Sequence, residues 1–294
     1  MIYKGGVSSP MTILKDHSFT TSVFSIPILF EPISRRLKIY SLPENHLIDR
    51  FIEVVKKLAI EKKCDKVIFY VTLSQQPIIN AYADRYEGMI EAFFNGEDAH
   101  IFALFLDTDR DQTSLTQLEK NVFRLVHRKK GQGPSHRFQL PPGYFMRWGR
   151  KDDVYQMATL YETVFASYPT PMNEPDFITK MMDDDVYFLV VEHKRKIVSA
   201  CSADLMKKFS AAELSDCATY REHRSKQLLS YQVAHLIPRL KKIGVKTLFS
   251  YSRSISAGMN LVNAKHGFHF GGRMIKNSNI CGRLENMNIW YKAL

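Results

Sequence analysis

The sequence predicts an α/β fold with a mixed α+β sheet, built in two units. Strand-type and helix-type apolar patterns alternate along the chain. A segment rich in glycine and proline, residues 131–141, divides the chain near its middle. The strand, helix and hairpin that end the second unit are echoed in the first. We therefore expect one domain at residues 1–130 and another at 142–294, joined by a linker.

The second unit reads in the order β-α-α-β-β-β-α-β-α-β-β. Its strands are predicted at 144–148, 186–192, 197–205, 212–219, 246–251, 268–275 and 287–292. Its helices are predicted at about 152–165, 174–182, 228–242 and 257–266. Gly244 and Gly267 are placed to end the last two helices.

The first unit shows a similar ending. A strand at 67–72, a helix at 77–85 and a hairpin of strands 89–94 and 101–106 are predicted there. This order repeats the ending of the second unit at an offset of about 180 residues. The alternative is that any α/β chain shows a similar order of strands and helices in its two halves. We interpret the pattern as a degenerate internal repeat.

Composition excludes several classes of protein. The 294 residues are 45% hydrophobic, as expected for a globular chain of about two domains. No apolar run reaches the roughly 20 residues that cross a bilayer, and the N-terminus lacks the order of a signal peptide. We therefore expect a cytoplasmic protein without a membrane partner. The sequence carries no signal for an oligomeric state.

The net charge of +11 predicts a polyanionic partner, either nucleic acid or a phosphorylated cofactor. No zinc-finger spacing, RNP signature or long Lys/Arg run favours nucleic acid. The four cysteines are scattered and have no histidine at metal-ligand spacing, which predicts reduced thiols and no metal site. Cys217 as a nucleophile is the alternative, although no neighbouring base is evident.

The strand at 212–219, the turn at 220–226 and the helix from Gln227 form a candidate phosphate-binding unit. A helix N-terminus presents unpaired N–H groups and the positive end of the helix dipole, which together bind a pyrophosphate. Arg224 and Lys226 add positive charge at this place. A solvated basic loop is the alternative reading.

This unit resembles the coenzyme A loop of the GNAT acetyltransferases, whose pattern is Arg/Gln-x-x-Gly-x-Gly/Ala. Arg224 matches the pattern, whereas Gln227 and Leu229 replace its small residues. Residues of a helical first turn have negative φ, so we expect their N–H groups to remain available despite the side chains. The resemblance implies that acetyl-CoA is held by Cys217, Ala218, Thr219, Arg224, Ser225, Lys226, Gln227, Leu228 and Leu229.

Several runs in the same order resemble the β-lysine N-acetyltransferase family. They are YPTP (168–171), SDCAT (215–219), YSRS (251–254), GMN (258–260), GR (272–273), NSNI (277–280) and ENMNIW (285–290). The resemblance covers residues 142–293 and, less specifically, YEGMIEAFFNGEDA (86–99). It implies a catalytic GNAT fold in the second half and a degenerate GNAT-like first domain. It also implies transfer of acetyl from acetyl-CoA to the side-chain amine of β-lysine, giving N6-acetyl-β-lysine, a compatible solute.

Such a reaction needs a general base, because a lysine-type ammonium of pKa about 10.4 is almost fully protonated at neutral pH. Glu213 and Asp216 lie on the strand ahead of the coenzyme loop, and their odd separation predicts opposite faces, so that only one faces the cleft. Asp216 is preferred because it belongs to the matched SDCAT run. A structural role for either carboxylate is the alternative.

The leaving thiolate of a GNAT reaction commonly takes its proton from a tyrosine on the helix after the fifth strand. This chain has Asn263 at that place, so Tyr251 at the end of the preceding strand is our substitute candidate. The alternative is that Tyr251 belongs to the core. Together with Gln227 and Leu229, Asn263 also motivates a second interpretation, a catalytically silent module that binds acetyl-CoA or a protein partner.

An amino-acid substrate also needs its carboxylate and second amine held. Arg253 or Arg273 is the candidate for the carboxylate, because guanidinium groups bind carboxylates bidentately. Glu285 is the candidate for the amine, and Asn260 and Asn277 for additional hydrogen bonds. Asparagines also cap turns, which is the alternative for either of them.

Overall fold

A computed structural model of the chain describes residues 17–19, 24–112, 115–129 and 139–294. The strands within these ranges are β1 (His17–Phe19), β2 (Ile28–Glu31), β3 (Arg36–Ile39), β4 (Lys66–Val71), β5 (Arg85–Phe94), β6 (Glu97–Phe105), β7 (Tyr144–Trp148), β8 (Val186–His193), β9 (Lys196–Met206), β10 (Ala211–Thr219), β11 (Thr247–Arg253), β12 (His269–Ile280) and β13 (Arg283–Ala293). The α-helices are α1 (Ile48–Glu61), α2 (Gln76–Asn80), α3 (Thr108–Asp111), α4 (Gln117–Lys129), α5 (Val154–Val164), α6 (Pro175–Asp183), α7 (Leu228–Lys242) and α8 (Ala257–Lys265). None of these helices is long and apolar enough to cross a membrane.

The described strands form one mixed sheet in the order β1-β2-β3-β4-β6-β5-β12-β13-β11-β10-β9-β8-β7. The pairs β3–β4 and β10–β11 are parallel. The other paired strands run antiparallel. Helices α1 and α7 make the crossovers that parallel pairs require. The predicted α/β fold with a mixed sheet is confirmed.

The predicted internal repeat is visible in the topology. The order β3-α1-β4-α2-β5-β6 in the first half matches β10-α7-β11-α8-β12-β13 in the second. In each half the first two strands are parallel, and the closing hairpin pairs back on the second of them. The irregularities in the two hairpins also correspond, at Tyr86/Gly88 and Ile90/Phe94 in one and at Phe270/Gly272 and Met274/Ser278 in the other.

The division into two domains stays a prediction. Most of the expected linker, residues 131–141, lies outside the described residues. The sheet itself runs through both halves, because β5 of the first half pairs with β12 of the second.

Three glycines form the seam at which the halves join. Gly88 on β5 pairs with Gly272 on β12, and their φ angles are +141° and +145°. A Cβ on Gly88 would lie 2.3 Å from the carbonyl oxygen of Gly271. One on Gly272 would lie 2.2 Å from the carbonyl oxygen of Glu87. The two strands approach this closely because these positions carry no side chain.

A buried ion pair lies directly beside this glycine seam. The Lys66 ammonium donates to a carboxylate oxygen of Glu87 at 2.8 Å, and both side chains are fully buried. The same ammonium donates to the Ile275 carbonyl at 2.9 Å, while the Ile275 N–H donates to Glu87 at 2.6 Å. Lys66 and Glu87 belong to the first half and Ile275 to the second, so this network ties the two halves together.

Helices cover the sheet in both halves. Phe51 of α1 shares a buried cluster with Val67 of β4. Val233 of α7 shares another with Leu214 of β10. A further cluster spans the two halves and includes Ile68, Tyr70, Phe93, Phe249 and Ile289. The packing of the second half therefore continues into the first.

The main boundary difference lies before β5. A helix was predicted at 77–85, but α2 ends at Asn80 and β5 begins at Arg85. The Asp84 N–H donates to the Ala103 carbonyl at 2.9 Å, and the Asp84 carboxylate accepts from the Phe105 N–H at 2.7 Å. These bonds to β6 draw the chain out of the helix, so the predicted end of this helix is wrong.

We expect Gly272→Ala to lower the free energy of unfolding by about 3 kcal/mol, since the added methyl group meets backbone atoms and the φ angle is unfavourable for alanine. Chemical denaturation measures this loss. Gly258→Ala is the matched control, because it lies on α8 with no atom within 4 Å of the new Cβ. It should stabilise the protein by about 0.5 to 1 kcal/mol. Equal effects of the two substitutions would contradict the role given to the seam.

Candidate active site

β10 separates from β11 partway along its length. Their parallel register covers 211–213 and 247–249, whereas β11 continues along β13 to Arg253. On its other side, the register of β10 with β9 shifts between Ser215 and Ala218. Within this bulge Asp216 has a left-handed backbone with φ 50°. The bulge bends β10 and leaves a wedge between the two parallel strands.

A cavity of about 490 Å³ lies at this wedge. That volume is in the range of small-molecule sites. Its walls come from both halves of the chain: β2 and β3 on one side, and α6, β9, β10 and β11 on the other. The charged residues that line it are Glu31, Arg36, Lys38, Asp184, Asp185, Asp204, Lys207, Lys208, Glu213 and Asp216.

Glu213 and Asp216 both line this cavity. The expectation that only one of them faces the cleft is therefore wrong. An uninterrupted strand would place residues three apart on opposite faces. The left-handed conformation at Asp216 shifts the alternation by one residue, so that its side chain joins those of Glu213 and Ser215 on the same side.

Hydrogen bonds hold Asp216 in place. Its carboxylate accepts from the Ser202 hydroxyl at 2.6 Å and its backbone carbonyl from the Tyr161 hydroxyl at 2.9 Å. The Tyr168 hydroxyl also bonds to this carboxylate. Burial, reinforced by the Asp216 charge, raises the pKa of both tyrosines well above the ordinary range. Both phenols therefore stay protonated and can act as donors to Asp216.

Tyr251 lines the same cavity, and its hydroxyl lies 2.8 Å from the hydroxyl of Tyr70 in the first half. Burial, together with Tyr70 and the Glu213 charge, raises the pKa of Tyr251 well above its ordinary value. Asn263, by contrast, is fully buried and donates to the Ser252 hydroxyl at 2.9 Å. Of these two positions, Tyr251 is the one that presents a proton donor to the cavity.

The loop after β10 adopts left-handed backbone conformations that usually favour glycine, although it contains no glycine. Ser225 and Gln227 have φ angles of 62° and 57°, so the expectation of negative φ at Gln227 is wrong. α7 begins at the next residue, Leu228. Arg224 donates to the Thr219 carbonyl at 3.1 Å, which draws the loop back to the end of β10. Alternating left-handed residues turn successive N–H groups toward one side, as in anion-binding nests.

The remaining positions of this unit have structural contacts. The Thr219 hydroxyl bonds to Ser199 at 2.8 Å, and Lys226 donates to the Glu222 carbonyl at 2.9 Å. Ala218 and Leu228 are buried, and Leu229 packs partly into the core. Burial raises the pKa of the Cys217 thiol well above its usual value, which opposes the alternative of a thiolate nucleophile.

The five predicted substrate residues do not line the cavity in the described part of the chain. Arg253 instead forms a bidentate pair with Glu285, at 2.7 and 2.6 Å. Arg273 donates to Asn288 at 2.8 Å. The buried Asn260 accepts from Trp290 and Asn288 and donates to backbone carbonyls, and the buried Asn277 donates to the Met274 sulfur. These residues therefore make contacts within the protein instead of facing the cavity.

A charged cluster on β2 and β3 was not predicted from the sequence. Glu31 pairs with both Arg36 and Lys38. These two charges outweigh the effect of burial and lower the pKa of Glu31 to about 2. The signal was the alternation Arg36-Leu-Lys38-Ile-Tyr40, which predicts a strand with polar side chains on one face.

No family model matches the chain. The N-acetyltransferase YodP of Bacillus subtilis is 32% identical over 248 residues, which are 84% of this chain and 89% of that protein. A β-lysine N(6)-acetyltransferase of Methanococcus maripaludis is 27% identical, covering 87% of this chain and 92% of that protein. One of Methanosarcina mazei is 28% identical, covering 84% and 99%. Among solved structures, the ribosomal-protein-alanine N-acetyltransferase of Brucella melitensis is 17% identical with a TM-score of 0.45, covering 51% of this chain and 99% of that one.

We expect Gln227→Gly to raise the free energy of unfolding by roughly 0.5 to 1 kcal/mol, because glycine removes the cost of a left-handed side-chain-bearing residue. Gln227→Val should lower it by about 1 kcal/mol or more, since β-branched residues avoid this conformation. Denaturant unfolding measures both. His235→Gly, at an exposed position inside α7, is the control and should be destabilising by about 1 kcal/mol. A loss of stability in Gln227→Gly would contradict the left-handed assignment.

Proposed function

Because the chain belongs to the β-lysine N-acetyltransferase family of GNAT enzymes, we propose that it transfers acetyl from acetyl-CoA to the side-chain amine of β-lysine, giving the compatible solute N6-acetyl-β-lysine. The observation that carries this proposal is the cavity at the β10 bulge, where Glu213, Asp216 and Tyr251 converge. The cavity suits a small amine, and its carboxylates suit a cationic one. An N-acetyltransferase that acts on a small cationic amine needs such a cavity and such carboxylates.

The residues present fit acetyl-CoA. The first turn of α7 carries backbone N–H groups without helical acceptors, and the left-handed Gln227 leads into it. Arg224 and Lys226 add positive charge beside this turn, which suits a pyrophosphate. β10 connects the two places, since Glu213 and Asp216 line the cavity and the strand ends at Thr219, just before this loop. When bound, the coenzyme supplies an acetyl thioester to the amine.

Glu213 is our candidate for the general base. It lines the cavity and is half-buried. Burial is the main cause of the raised pKa of Tyr168 and Tyr251, and the Glu213 charge adds to it, so Glu213 lies near both phenols. Its charge also acts on Arg36 and Lys38 across the cavity. Neutralising a lysine-type ammonium at pH 7 costs roughly 4 to 5 kcal/mol, which makes such a carboxylate necessary.

Asp216 has a different proposed role. Its carboxylate is 5% exposed and is held by Ser202 and Tyr168, so its contacts lie mainly within the protein. We propose that Asp216 holds the bulge in place, together with Tyr168, which lines the cavity. The Asp216 charge also attracts the cationic acceptor.

The neutral amine attacks the acetyl carbonyl, the bond from that carbon to sulfur breaks, and the departing thiolate takes a proton. Glu213 takes one proton from the substrate ammonium before the attack, and the second proton, which the nitrogen loses as the amide forms, restores the hydroxyl of the group that protonates sulfur. Tyr251, held by its bond to Tyr70, is the proposed donor to sulfur. Its raised pKa keeps the hydroxyl protonated through the neutral and mildly alkaline range.

The test of the function is acetyl-CoA-dependent release of coenzyme A with β-lysine, α-lysine and polyamines as competing acceptors. Mass spectrometry of the product locates the acetyl group. Selective turnover of β-lysine at its side-chain amine is the expected result. Binding of acetyl-CoA without turnover of any acceptor would instead support the catalytically silent module.

We expect Glu213→Gln to lower kcat by about 100-fold or more while the KM for acetyl-CoA changes less than about threefold. The remaining rate should rise with pH up to about 10, because the amine then loses its own proton. Asp216→Asn tolerates the left-handed backbone and should lower kcat less, with a pH profile of wild-type shape. Glu53→Gln, at an exposed site on α1, is the control. If Asp216→Asn alone altered the pH profile, the base would be Asp216.

We expect Tyr251→Phe to lower kcat by about 10- to 100-fold with unchanged acetyl-CoA affinity, because the thiolate then leaves without a donor. Steady-state kinetics and calorimetric coenzyme binding measure the two effects. Since the pKa of Tyr251 is raised, the wild-type rate should show no alkaline loss from this group below about pH 10. Tyr187→Phe, an exposed tyrosine on β8, is the control. An unchanged kcat in Tyr251→Phe would remove it from the mechanism.

A further inference from the structure

The cavity wall that faces β10 is built by the first half of the chain. Glu31 on β2 and Arg36 and Lys38 on β3 line it. The Arg36 and Lys38 side chains are only 6% and 8% exposed. Two cations buried this deeply on a cavity wall are costly unless anions compensate them.

Arg36 is fixed by contacts on each arm of its guanidinium group. Nη1 donates to the Asn277 carbonyl at 2.7 Å and to the Ser278 hydroxyl at 3.0 Å. Nε and Nη2 both bond to one oxygen of Glu31. Arg36 therefore orients Glu31 and links β3 to β12 of the second half.

Lys38 pairs with the other oxygen of Glu31 at 2.5 Å. Its ammonium carries three N–H donors, and this ion pair engages one of them. Burial lowers the pKa of Lys38, but the neighbouring Glu31 carboxylate more than compensates, so that its net pKa is raised. Lys38 thus stays charged and held in position at the cavity wall.

The two walls of the cavity differ in net charge. Arg36 and Lys38 share the single carboxylate of Glu31, which leaves the first-half wall with one excess positive charge. The opposite wall carries five carboxylates against two lysines, and one of these lysines, Lys207, pairs with Asp185. The carboxylates are Asp184, Asp185, Asp204, Glu213 and Asp216, so this wall has an excess of negative charge. A small molecule with a carboxylate at one end and an ammonium at the other matches this arrangement.

We propose that Lys38, positioned by Glu31 and Arg36, binds the carboxylate of the acceptor, so that the first half of the chain selects amino acids over diamines that lack a carboxylate. This inference rests on the proposed function, since it assigns a subsite of the same cavity. It replaces the earlier candidates Arg253 and Arg273, which bond to Glu285 and Asn288 instead. In this arrangement the acceptor amine points toward Glu213 and the wedge between β10 and β11.

The experiment compares β-lysine with 1,4-diaminopentane, which has the same diamine skeleton without the carboxylate. In wild-type protein we expect kcat/KM to favour β-lysine. Lys38→Met should reduce that preference by about 30-fold or more, chiefly through the KM for β-lysine. Lys38→Arg, which keeps the charge, should restore most of the preference. Lys57→Met, an exposed lysine on α1, is the matched control and should leave the ratio unchanged.

Two further measurements separate the possible failures. Thermal unfolding checks that Lys38→Met is folded; if it is not, Lys38→Gln replaces it, because an amide keeps a hydrogen bond to Glu31. Calorimetric binding of β-lysine to wild type and variant needs no turnover. A wild type that acetylates β-lysine while the Lys38 variants keep the full preference would overturn this inference and leave the proposed function intact. A wild type that acetylates no acceptor would overturn the proposed function. Equal affinity of wild type and variant for β-lysine would overturn the proposed carboxylate site at Lys38.

Discussion

The close contact of β5 with β12 is the constraint on which the rest of the molecule depends. Gly88, Gly271 and Gly272 let two backbones approach at distances that a Cβ would not allow. Lys66 and Glu87 complete the contact with a buried ion pair that reaches into the second half. Because two repeats join here into one sheet, β2 and β3 of the first half come to face β10 of the second across a cavity.

The bulge in β10 is the second constraint, and it acts locally. A left-handed residue within a strand is unfavourable, so its surroundings must hold it. Tyr161 and Ser202 do so by bonding to the carbonyl and carboxylate of Asp216. The same distortion opens the wedge toward β11 and turns two carboxylates to one side. The proposed coenzyme path and the acidic wall of the cavity therefore have one structural origin.

Most of the second half could be predicted from its sequence, because period-2 and period-3.6 patterns report local burial directly. α7 was predicted with its observed bounds, and β7 likewise. The elements before residue 66 were not predicted, although α1 has a clear apolar face with buried Phe51 and Val55. Arg253 and Glu285 were assigned to the substrate because charged residues in a matched run suggest binding. They lie on paired neighbouring strands and neutralise each other instead.

The sequence by itself determined the family, the mixed α/β fold, the repeat and the set of acidic and aromatic candidates, because each rests on local patterns or on ordered matches. Only the tertiary structure decided that Glu213 and Asp216 share a face, since a bulge changes the alternation without changing the pattern of residues. It also brought Lys38 to the cavity. That placement depends on strands far apart in the chain meeting at a glycine seam, and no local pattern reports such a contact.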